Sequence, residues 1–131
     1  MTAKNLFLYQ TILNLSFGIG LLFVPQMMIN MYGVQKVDIS GSFDIVARGY
    51  GTALIGFGIT AYLMRNAKAS LARYAFLVAT CVAGGLLTIL HIRAILRGDE
   101  NSLGWLIVLL LVIVTAWSGM LLSKEKTDVL E

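Results

Sequence analysis

Charge is scarce in this chain. Only 13% of its 131 residues are Asp, Glu, Lys or Arg, against roughly a quarter in soluble domains. That leaves too little polar side chain to cover a water-soluble globule. The charges are also absent from long stretches: none lies between Lys4 and Lys36, and none from Asn101 to Ser123. Cysteine, histidine and proline each occur once, as Cys81, His91 and Pro25. A lone cysteine excludes an internal disulfide framework and a cysteine-based metal site. A lone histidine cannot supply the two axial imidazoles of a typical membrane b-type haem. No two carboxylates share an apolar stretch, which argues against a carboxylate proton relay, and no nucleophile elbow is present. The net charge of +3 does not indicate nucleic acid. The basic residues stand singly at the ends of apolar runs, where a membrane protein keeps them.

What the chain has is apolar length. Four segments, 6–24, 45–64, 74–96 and 105–122, are long and apolar enough to be read as membrane spans. Backbone in hydrocarbon must satisfy its own hydrogen bonds, so each is expected to be helical. The reading is therefore all-α: one transmembrane domain over 1–131, an integral membrane four-helix bundle. The first segment is expected to be a retained span. Lys4 is its only early positive charge, and no small-x-small cleavage site precedes Pro25. Pro25 breaks or opens a helix, and residues 26–32 read as a short interfacial helix. Residues 33–43 form a polar connection carrying Lys36 and Asp38, and Ser42 is a candidate cap for the second span. Ser70, and Asn101 or Ser102, are candidate caps for the third and fourth. The charged tail after Leu122 reads as loose.

With four spans, Lys4, Arg65, Lys68, Arg73, Lys124 and Lys126 share one side, and Lys36, Arg48, Arg93 and Arg97 the other. Basic residues favour the cytoplasm, so both termini are expected inside. In the second span Gly49, Ala53, Gly56 and Thr60 form a small-residue stripe along which another helix can pack. Thr80, Gly84, Thr88 and His91 form a second stripe on the third. Gln10 and Asn14 share a face of the first span and are expected to bond to a neighbouring helix.

Ionisable groups at membrane depth are costly, so Arg48 and His91 are the residues to explain. One reading is a polar pocket open to the outer side, lined by Arg48, Thr52, Thr88 and His91. Asp44 lies one turn from Arg48, and Arg93 and Arg97 stand at the mouth. Such a pocket suits a small anion, a lipid head group or a quinone carbonyl. The other reading is structural: Arg48 pairs with Asp44 or with helix-end carbonyls, and His91 makes one bond between helices.

The run FGIGLLFVP, then MYGV, then ARGYGTALIGFGI resembles the small four-helix bacterial membrane proteins of the DoxX-like and related uncharacterised families. The resemblance covers 17–122 and implies a four-helix bundle in the bacterial cytoplasmic membrane. Some DoxX-like proteins are associated with quinone-linked oxidation of sulfur compounds, but this chain lacks a cysteine pair for a direct thiol role. Three functions follow in order. The first is a non-enzymatic homo-oligomer or subunit of a membrane complex, with no cofactor. The second is a binder or transporter of a small anionic, lipid or quinone-like molecule at Arg48 and His91. The third is a membrane redox enzyme subunit.

Overall fold

Helix α1 (Ala3–Phe23) starts at Thr2, whose hydroxyl accepts from the Asn5 N–H at 3.4 Å. It stops two residues before Pro25, which has no N–H to continue the ladder. Pro25 then opens α2 (Pro25–Met31), the short helix expected from the sequence. The longer elements are α3 (Ser42–Met64), α4 (Leu71–Arg97) and α5 (Gly104–Leu130). This computed structural model describes residues 2–33 and 42–130; the side chains of Ser42 and of 126–130 are not described. Lys36, Asp38 and the Ser42 cap therefore lie outside the described residues. Among the described residues there is no strand.

Three helices are long and apolar enough to cross a membrane: α1, α4, and α5 over Gly104–Glu125. Helix α3 matches them in length, at 23 residues, but is not one of the three. Its glycines, with Asp44 and Arg48, dilute its apolar content. The tail is also not loose, because α5 continues to Leu130. Lys and Glu are good helix formers, and Glu125 is buried in an ion pair with Arg73 of α4.

Local chemistry sets the other boundaries. Ser70, in extended backbone, caps α4 by accepting from the Arg73 N–H at 3.3 Å. Gly98 ends α4 at φ +76°, a left-handed turn that a side chain would strain. Before α5, the Asn101 side chain accepts from the Leu103 N–H at 2.9 Å.

Packing divides the molecule into two close helix pairs, α1 with α3 and α4 with α5, joined mainly through α1 and α5. The start of α1, the end of α3, the start of α4 and the end of α5 meet at one pole. There Ala3, Leu6, Phe7, Ala61, Leu77 and Leu121 form the buried core. Helices α3 and α4 pack far less closely on each other than the members of either pair do; they meet near the core, where the Phe57 and Phe76 ring centroids are 6.2 Å apart.

The face by which α3 meets α1 is not the Gly49, Ala53, Gly56, Thr60 stripe. A Cβ on Gly49 or Gly56 would have nothing within 4 Å, and Thr60 bonds back to the Gly56 carbonyl at 2.9 Å. The packed ridge is Ala47, Gly51, Gly58 and Ala61, all buried. Gly49 and Gly51 are two residues apart, about 200° around a helix, so the two glycine sets face nearly opposite ways. On α4, Gly84 lies at the contact with α5, where a Cβ would come within 2.5 Å of the Thr115 hydroxyl.

Candidate functional site

The two pairs enclose a cleft. Its larger part has a volume of about 370 Å³ and is bounded by α1, α2, α3, α4 and α5. Most of its wall is aliphatic or aromatic, including Phe17, Leu21, Val46, Leu54 and Leu110. Tyr32, His91 and Glu100 supply polar groups at the end away from the buried core. A smaller annex of about 150 Å³ continues toward the core pole, between Gln10, Phe57, Phe76, Ala79 and Ala83. Leu13, Asn14, Tyr50, Leu54, Leu87 and Leu111 line both parts, so the two adjoin.

The mouth is held by a set of contacts between α2 and the turn after α4. His91 Nδ1 stands 2.9 and 3.0 Å from the two Glu100 carboxylate oxygens. An ionised carboxylate only accepts, so the imidazole N–H donates. Next to Glu100, the Asn101 N–H donates to the Tyr32 carbonyl at 2.8 Å, and the Asn101 side chain donates to the Met31 carbonyl at 2.9 Å. Gly33, at φ +81°, lies against Asn101. Burial and the nearby Glu100 carboxylate both raise the pKa of the Tyr32 phenol above its ordinary value. Tyr32 is therefore a neutral group at the rim.

Arg48 stands elsewhere. Its Nε donates to Asp44 at 2.7 Å, and one terminal nitrogen donates to the Leu22 carbonyl in the last turn of α1. That carbonyl is one of those a helix end leaves without an N–H, so Arg48 ties α3 to the end of α1. Thr52 donates to the Arg48 carbonyl at 2.9 Å, and Thr88 to the Gly84 carbonyl at 2.7 Å. Arg93 is exposed. Of the six candidates Asp44, Arg48, Thr52, Thr88, His91 and Arg93, only His91 lines the cleft. Asp44 and Arg48 are brought together; Arg48 and His91 have separate partners. His91 bonds the loop carboxylate rather than a side chain of another helix.

No family model, curated protein or solved structure matches the chain. The site has to be read from its own residues. Among the described residues no three His, Cys, Asp or Glu side chains gather where they could hold a metal.

Sequence reasoning missed two site residues, Glu100 and Tyr32. Gly98 was the available signal for the first, since a left-handed turn there folds the chain back along the end of α4. Gln10 was expected to bond to a neighbouring helix. Instead both atoms of its amide are buried without a partner.

Proposed function

We propose that this is a multi-pass protein of the bacterial cytoplasmic membrane whose cleft holds a membrane-soluble molecule. Four spans are the basis. At 23 residues, α3 is about 34 Å long, enough for a hydrocarbon layer of roughly 30 Å. Its arginine sits near one end with its charge paired. The meeting of the start of α1 and the end of α5 at one pole supports a bundle with both ends on the same side. The lysine and arginine distribution makes that side cytoplasmic. The bacterial membrane itself follows from the DoxX-like resemblance.

One observation carries the ligand reading. The cavity of about 370 Å³ has apolar walls and polar groups at the end away from the buried core, and it lies between the two helix pairs. Ligand sites are mostly apolar concavities with a few placed polar groups. Arg48 is turned away toward Leu22 and Asp44, so the site favours a neutral or lipid-like molecule over a small anion. Native mass spectrometry from nanodiscs tests this. Wild type should retain a lipid-sized adduct, and Leu87→Trp, which fills the cleft, should lose it while keeping its helical circular dichroism. Equal loading of the two proteins, or none in either, removes the reading.

A second reading, a non-enzymatic homo-oligomer or subunit of a larger complex, rests on the outward stripe of α3. Gly49 and Gly56 leave open space beside the helix, and small residues let helices approach closely in lipid. Self-association measured against protein-to-lipid ratio should weaken in Gly56→Leu. A strictly monomeric wild type at every ratio would end this reading.

A further inference from the structure

One face of α4 looks into the cleft, and His91 is its last member. Phe76, Ala79, Ala83, Leu87 and His91 recur every three or four positions and line first the annex, then the larger cavity. The imidazole Nδ1 is taken by Glu100, at 2.9 and 3.0 Å from its two oxygens. That bond fixes the proton of a neutral ring on Nδ1, so Nε2 keeps its lone pair. Among the described residues Nε2 has no hydrogen-bond partner, yet it is not one of the buried polar atoms left without one. The side chain is 25% exposed, so Nε2 is open to an incoming group. The Tyr32 hydroxyl is in the same position. It belongs to the cavity wall, stands near enough to Glu100 to feel its charge, and is neither bonded among the described residues nor sealed off.

Resting on the cleft as a ligand site, we infer that His91 Nε2 and the Tyr32 hydroxyl hold the hydroxyl head of an uncharged, chain-like lipid molecule. A hydroxyl both donates and accepts. Its O–H donates to Nε2, and its oxygen accepts from the Tyr32 O–H. An ester oxygen only accepts, so an ester satisfies Tyr32 and leaves Nε2 unbonded. A carboxylate or phosphate head would meet the Glu100 charge, and no Lys or Arg lines the cleft or annex to offset it. Glu100 is a positioning residue here: it orients the ring and sets which nitrogen faces the ligand. The apolar walls at Phe17, Leu21 and Leu54 take the chain.

The test compares two probes of equal chain length in nanodiscs, n-tridecanol and methyl laurate, titrated by native mass spectrometry. Wild type should prefer the alcohol by about fivefold, the scale of one hydrogen bond. His91→Phe should lose that preference and bind the ester within about twofold of wild type. Tyr32→Phe should weaken both probes alike, since both accept from the phenol. His91 is the one histidine of the chain, so ¹⁵N-histidine labelling reports its ring without overlap. At about pH 8 the Nε2 signal should be that of an unprotonated nitrogen and move to lower frequency with the alcohol, not with the ester. If His91→Phe does not fold, Tyr32→Phe and the Nε2 signal decide. A preference that survives His91→Phe, equal affinity for the two probes in wild type, or an Nε2 signal unmoved by bound alcohol overturns the role of His91 and leaves the cleft reading standing. Failure of wild type to bind either probe removes both.

Discussion

Gly18 and Gly51 bring α1 and α3 together backbone against backbone. A Cβ on Gly18 would lie 2.8 Å from the Gly51 carbonyl oxygen, and a Cβ on Gly51 would lie 2.8 Å from that of Gly18. The oxygen in each case belongs to a helix backbone, which cannot swing aside as a flexible side chain would. Gly51→Ala should therefore destabilise the fold by about 1–3 kcal/mol, the range for overpacking a close contact. Gly56→Ala, on the open face, should cost nothing measurable. Unfolding in mixed detergent micelles, followed by circular dichroism, compares the two. Equal stability of both variants would mean that the α1–α3 contact is looser than described.

The same pair shows what the sequence could and could not reveal. Long apolar runs located α1, α4 and α5, since little else fits such stretches. Pro25 located the start of α2, and Ser70 the start of α4, because each acts through its own backbone. The packing face of α3 was not legible. Gly49 with Gly56 and Gly51 with Gly58 each repeat every seven residues, so periodicity favours neither set. The choice is made by Gly18 and Leu15 on α1, which lie against Gly51 and Gly58. The cleft was equally out of reach. It lies between the α1–α3 and α4–α5 pairs, and no local pattern encodes a gap between helix pairs. His91 was recognisable as a group needing a partner, but its partner depended on how the turn at Gly98 folds back.

Arg48 supports the end of α1, and its substitution should register as stability rather than binding. Arg48→Gln removes the pair with Asp44 and the bond to the Leu22 carbonyl. The side chain is 43% exposed, so the ion pair itself is worth little, and the loss should be about 1 kcal/mol, chiefly from the helix-end bond. Affinity for a cleft probe such as methyl laurate should stay within about twofold, a change far below one hydrogen bond. Thermal melts and probe titration on the same sample separate the two effects. A large loss of affinity at unchanged stability would restore Arg48 to the binding site.

The bond between His91 and Glu100 holds the turn that carries Asn101 against α2. Both side chains are mostly buried, at 25% and 14% exposure. Glu100→Ala should loosen this closure by about 1 kcal/mol, which corresponds to roughly fivefold faster hydrogen exchange at the Asn101 amide. That amide reports directly because its N–H donates to the Tyr32 carbonyl. Amides in the middle of α5 should keep their exchange rates. Uniform acceleration along α4 and α5 would instead mean that Glu100 stabilises the whole helix pair.

Gln10 buries an amide that makes no hydrogen bond within the fold. Its two unbonded amide atoms are a cost to the folded state. Gln10→Met keeps the side-chain length and removes both polar atoms. It should therefore stabilise the protein by about 1–3 kcal/mol, the penalty of an unsatisfied buried polar group. Chemical denaturation of delipidated protein in detergent measures this directly. If Gln10→Met is instead less stable than wild type, the amide is already satisfied within the fold.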